Sequence, residues 1–142
     1  MEFVLTEQQE LIRKEVATLA RSFPADYWLE KDRQAAYPWE WVKAFAAGSW
    51  LGIIIPEAYG GSGLGVTEAS ILLHEICTSG AGTSGASPIH FYVFPPMPLV
   101  KHGSDALKAR YLPGIATGEI VMSFGVTEPN AGTDTSRKRR ST

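Results

Sequence analysis

Apolar residues recur at helical spacing along most of this chain and switch to strict alternation near Glu119. Ile12, Val16, Leu19 and Phe23 form one stripe, with Arg13, Lys14, Glu15 and Arg21 mostly elsewhere, which predicts a one-faced helix over 7–22. Thr6-Glu7-Gln8-Gln9 fits a capping box, Thr6 accepting from the Gln9 N–H while the Gln9 side chain reaches back. Pro24 stops this helix, and the charged run from Asp26 to Gln34 predicts a short second one. Pro38 suits the first residue of a third helix carrying Trp39, Trp41, Val42 and Phe45, and Gly48 suits a left-handed residue at its end. The run Trp50 to Ile55 is too short for another helix and stops at Pro56, which predicts a buried extended segment. Four glycines then fall within 60–65, the mark of a tight multi-turn connection or of a close backbone approach.

Thr67 is placed to cap a fourth helix running to about Thr78, with Ala69, Leu72, Leu73, Ile76 and Cys77 as a broad apolar stripe. After Gly80, Gly82 and Gly85, a helix is expected from Ser87 to Phe94, broken by Pro95-Pro96, with a further turn or two to Lys101. Ser104-Asp105 opens a short helix through Tyr111, and Pro113 to Gly118 reads as a connector. From Glu119, Ile120, Met122, Phe124 and Val126 alternate with Val121, Ser123 and Gly125, the signature of a β-strand. A strand needs neighbours for its hydrogen bonds, and no second one is predicted, so this one reads as the start of a truncated β-domain. The expected organisation is mainly α: a helical bundle over 1–118, a first strand and turn over 119–136, and a basic tail over 137–142.

Composition narrows the function classes. The chain has 142 residues, 44% of them hydrophobic and 20% charged, which fits one ordinary domain. It contains no run of about 18 uncharged apolar residues, so no membrane-spanning helix is expected. Four of its 13 basic residues are Arg137 to Arg140, leaving nine against 15 acidic over 1–136, a net of −6. An acidic body argues against a nucleic-acid groove, which spreads Lys and Arg over a folded face. A single cysteine, Cys77, without a secretory signal or an Arg-rich transit pattern, points to a reducing, cytoplasmic compartment. Metal-ligand spacings and nucleophile motifs such as GxSxG and HExxH are missing. Glu57, Glu75 and Glu119 read as capping or solvated carboxylates, and His74 and His102 as structural histidines.

The segment Phe124 to Asp134 is the remaining candidate: a strand end, then a turn with Pro129, Asn130 and Gly132. Its N–H groups and the Thr127 and Thr133 hydroxyls could serve an acceptor-rich ligand, or the segment could be only a turn. The order and spacing of Ile55-Pro56-Glu57-Ala58-Tyr59-Gly60-Gly61-Ser62-Gly63, Arg110-Tyr111-Leu112-Pro113, Gly118-Glu119 and Phe124 to Asp134 resemble the amino-terminal part of the acyl-CoA dehydrogenases. The resemblance covers nearly the whole chain and implies FAD between a β-domain and C-terminal helices. It also implies an acyl-CoA thioester whose α-proton passes to a glutamate while its β-hydride passes to flavin.

Carried over by resemblance, Phe124, Val126 and Thr127 lie against the flavin ring, and Gly132 and Thr133 form the close-approach turn. Thr133 also reaches toward the thioester, and His90, Phe91 and Phe94 line the acyl pocket, although as plain residues they read as strand core and helix. The family's glutamate base lies outside this chain, so no catalytic residue is assigned. The tail Lys138-Arg139-Arg140-Ser141-Thr142 departs from the family's pattern, an apolar residue and a Lys-Thr pair. An electron acceptor and further copies of the subunit are implied partners. Acyl-CoA oxidases and flavin-dependent hydroxylases share the scaffold, and a non-catalytic helical interaction module is the rival from another class.

Overall fold

The computed structural model describes residues 4–129 and 131–134, and Asn130 and the basic tail lie outside them. Seven α-helices are present among the described residues: α1 (Glu7–Arg21), α2 (Ala25–Arg33), α3 (Trp39–Ala47), α4 (Val66–Ile76), α5 (Gly82–Val93), α6 (Met97–His102) and α7 (Asp105–Ala116). The capping box at α1 forms, with Gln9 N–H donating to Thr6 Oγ1 at 3.2 Å and Thr6 N–H to Gln9 Oε1 at 3.1 Å. Gln9 Nε2 also donates to Glu68 Oε1 at 2.8 Å, and Glu68 Oε2 accepts from the Gly65 N–H at 3.0 Å. One carboxylate therefore joins the beginnings of α1 and α4, and Gly65 rather than Thr67 is the residue that caps α4.

The core gathers Ile12 and Val16 from α1, Trp41 and Phe45 from α3, Leu72 and Ile76 from α4, Ile89 and Tyr92 from α5, and Leu112 and Ile115 from α7. Trp41 is its hub. Its ring meets Phe23 edge-on at 5.1 Å and Trp28 at 4.8 Å, and its indole N–H donates to the Gly85 carbonyl at 2.9 Å. A Cβ on Gly85 would stand 3.1 Å from Trp41 and 2.5 Å from Ala81, so this glycine lets α5 approach rather than interrupting it. That is why α5 begins at Gly82, five residues before the expected Ser87, and carries Pro88 within it. A π-helical turn, Cys77–Ala81, joins α4 to α5.

Four other expectations are corrected. Gly48 is not left-handed, with φ −81; Ser49 takes that conformation at φ 61, while a Cβ on Gly48 would collide with Trp50 at 2.6 Å. The run Trp50 to Ile55 is buried, but it folds as a 3-10 turn (Trp50–Gly52) and further turns instead of extending. Its carbonyls accept from the glycine loop: Gly52 from Ser62 at 3.0 Å, Ile55 from Gly63 at 2.8 Å and Ile53 from Leu64 at 2.9 Å. With its hydrogen bonds met by the following loop, this run needs no partner strand. Burial of Leu112, Ile115 and Ala116 carries α7 through Pro113 to Ala116, past the expected end at Tyr111. Finally, 119–127 forms no ladder. Ile120, Met122 and Val126 are half-buried and Val121, Ser123 and Gly125 exposed, but Phe124, expected with the inner set, is exposed as well, so the alternation is partial and the pairing is missing. The bridge between Glu128 and Ala131 is the only β pairing among the described residues.

Candidate functional site

The C-terminal end of α5 and the extended segment meet in an aromatic ledge. His90 and Phe94 are four residues apart, hence on one face, and their rings stack 5.3 Å apart at 10°. Phe124 packs edge-on against Phe94 at 5.0 Å and 77°, and Phe91 lies 6.2 Å from His90. Pro95-Pro96 ends α5 beside Phe94 and turns the chain into α6. Beside the ledge a cleft of about 170 Å³ opens between α4 and α5, lined by Ile54, Val66, Ala69, Ser70, Leu73, His90, Val93, Phe94 and Met97.

The route from α7 to the ledge is pinned. Gly118, left-handed at φ 82, turns the chain, the Ile120 N–H donates to the Gly114 carbonyl at 2.9 Å, and the Ile120 side chain fills the space a Cβ on Gly114 would need. The buried Tyr92 hydroxyl reaches the Gly118 carbonyl at 3.5 Å, and burial pushes that phenol up from its ordinary pKa. Beyond Ile120, the N–H groups of 121–127 have no backbone partner among the described residues. Glu128 and Ala131 then exchange backbone hydrogen bonds at 3.0 and 3.1 Å, closing a tight turn over a buried Ala131.

Of the residues expected at the site, His90, Phe94 and Phe124 are brought into contact, and His90 and Phe94 line the cleft. Phe91 stands outside it, and Val126, Thr127, Gly132 and Thr133 lie on the segment and turn beyond the ledge, all but half-buried Val126 exposed. A Cβ at Gly125 or Gly132 would meet nothing within 4 Å, and neither has a left-handed φ, so nothing within the described residues calls for glycine there. The cleft's remaining walls escaped sequence reasoning. Ala69 and Leu73 are visible in the sequence only as an ordinary core stripe, and Ile54 and Met97 come from distant turns. Val66, at the start of that stripe, is 66% exposed, and Cys77, expected in the stripe, is exposed at its end, so its face is not fully covered.

The model of the family Acyl-CoA dehydrogenase, N-terminal domain, matches residues 6–119, and the chain belongs to that family. The acyl-CoA dehydrogenase FadE12 of Mycobacterium tuberculosis is 35% identical over 136 residues, covering 93% of this chain and 34% of its own length. The acryloyl-CoA reductase (NADH) of Anaerotignum propionicum is 36% identical over 139 residues, covering 94% of this chain and 34% of its own. A solved glutaryl-coenzyme A dehydrogenase in complex with glutaryl-CoA superposes with a TM-score of 0.85 at 27% identity, over 97% of this chain and 35% of that one. The chain thus spans about a third of the length of the curated relatives it matches. Among the described residues no helix is long and apolar enough to cross a membrane, and no three His, Cys, Asp or Glu side chains gather as metal ligands.

Proposed function

We propose that this chain forms the helical wall of an FAD-dependent acyl-CoA dehydrogenase, its ledge standing between acyl group and flavin. The single observation that carries this reading is the contact of Phe124 with the His90–Phe94 stack, which sets the extended segment against the cleft. Phe124 offers an aromatic face 47% exposed, the 121–127 N–H groups and the Thr127 and Thr133 hydroxyls offer donors, and Gly125 and Gly132 leave room for close approach. That donor set suits the acceptor-rich edge and pyrophosphate of FAD. When bound, FAD supplies the two-electron acceptor for α,β-oxidation of the thioester.

In this reading Phe124, Val126, Thr127, Gly132 and Thr133 hold the flavin, while His90, Phe91, Phe94 and Thr133 orient the acyl group and exclude water. The bundle over 1–118 is the helical domain, 119–136 begins the β-domain, and 137–142 is a basic tail. The ledge binds and orients; none of its residues is placed to take the α-proton. A reductase among the relatives supports a ledge that serves either direction of α,β-chemistry. An electron acceptor, further copies of the subunit and a cytoplasmic setting belong to the same proposal, the last supported by the free, exposed Cys77.

Replacing the matching third of a full-length relative with this chain and measuring the FAD content per subunit tests the assignment. Flavin content that Phe124→Ala and Thr127→Ala each lower is the expected result. Unchanged flavin content in both variants would remove these residues from the flavin site.

A further inference from the structure

We propose that the outward face of α1 docks a second copy of this chain, α1 against α1 and antiparallel about a two-fold axis at Lys14. Glu7, Glu10, Leu11, Lys14, Ala17 and Arg21 recur at spacings of three and four, so they form one stripe. The stripe lines an open groove of about 630 Å³ bordered by Glu75 of α4, and the groove shares no residue with the cleft beside His90. Ile12 and Val16 turn to the core, whereas Leu11 stays 58% exposed and Ala17 lies buried at the groove's floor.

The charges on this stripe are ordered. Its acids, Glu7 and Glu10, precede its bases, Lys14 and Arg21, and together they are neutral. Glu10 pairs with Arg13 at 2.7 Å, while Glu7, Lys14 and Arg21 have no ion-pair partner among the described residues. An interface between identical copies about a two-fold axis needs a surface complementary to itself, and the antiparallel arrangement supplies one. Glu7 of each copy comes opposite Arg21 of the other, the two ion pairs standing about 21 Å apart along the helix. Between them Leu11 comes opposite Ala17, whose small side chain leaves the groove open to it. The two Lys14 residues meet at the axis, and each reaches the other copy's Glu10 one turn away, about 6 Å along the helix. A parallel pair would instead set Glu7 against Glu7 and Arg21 against Arg21. The helix dipole favours acids first and bases last in any helix, but it does not call for an exposed leucine over a groove between them.

Sedimentation equilibrium of the 142-residue chain between about 0.02 and 1 mM is the test, a range suited to a patch of four helical turns, much smaller than a standard interface. A reversible monomer–dimer equilibrium is the expected result. Because each substitution enters the dimer twice, Glu7→Arg and Arg21→Glu should each weaken it at least about fivefold. The double variant, with both charges exchanged, should return to within about twofold of wild type. Leu11→Asp, which touches neither the core nor the helix ends, should abolish the dimer and serves if an exchanged end charge unwinds α1. A chain that stays monomeric throughout that range overturns the inference. So does a dimer that neither reversal nor Leu11→Asp weakens, or one that the folded double variant fails to restore.

Discussion

Alanine at Gly61 is the most demanding substitution that the glycine loop offers. A Cβ built there would lie 2.0 Å from the Ile55 carbonyl oxygen and 2.5 Å from that of Gly52, both backbone atoms with no rotamer to yield. The loop would have to lift, and it is tied down by the Ser62, Gly63 and Leu64 N–H groups donating to Gly52, Ile55 and Ile53. At about 1 kcal/mol net for each bond, Gly61→Ala should cost about 3 kcal/mol, or about 10 °C in Tm for a domain of this size. Gly60→Ala has free space but a φ of 83, so it carries only the left-handed penalty, about 1–2 kcal/mol. Gly125→Ala meets neither obstacle and should stay within about 0.5 kcal/mol. Urea unfolding followed by circular dichroism ranks the three. A Gly61→Ala midpoint near wild type, or one above that of Gly60→Ala, refutes the account of the loop as a backbone-to-backbone closure.

Two further outcomes are expected. Trp41→Phe removes the donor to Gly85 and leaves a void between Trp28 and Phe23; it should cost about 2–4 kcal/mol, and a loss under 1 kcal/mol by the same unfolding assay would contradict the hub role. Glu40 is held down at about 2, first by the hydrogen bond from Lys31 at 2.8 Å, so its stabilisation is present above its ordinary 4.5 and lost as pH falls toward 2. Tyr27, raised to about 12 mainly by burial and then by its bond to Glu40, loses its contribution as pH climbs from 10 toward 12. Urea midpoints between pH 2 and 7 should fall more steeply for wild type than for Glu40→Gln, and parallel profiles would contradict the assignment.

What the sequence makes legible is what local geometry decides. The α1 capping box and the Ile12–Val16 stripe depend on residues within a turn or two, and the structure keeps both. Ser49 takes the left-handed conformation expected of Gly48, and Gly48 is needed instead because Trp50 occupies the space a Cβ there would fill, a contact no propensity encodes. Likewise Gly85 reads as a helix breaker until Trp41, 44 residues earlier, is packed against it. Part of the site was legible: alternation marks 120–126, and His90 and Phe94 fall one turn apart. The cleft was not, since its walls come from three separate stretches around 54, 66–73 and 90–97.

The Gln9–Glu68 hydrogen bond has an electrostatic consequence. Because it joins the first turn of α1 to the first turn of α4, it brings the positive ends of two helix macrodipoles together. Two like ends this close repel unless a counter-charge is shared. Glu68 supplies it, with one oxygen toward each end, and the bond from Gln9 above all holds its pKa below the ordinary carboxylate value. A single anion thus compensates two helices at once, which lets the chain leave α1, pass through α2 and α3, and return to start α4 at the same end of the bundle.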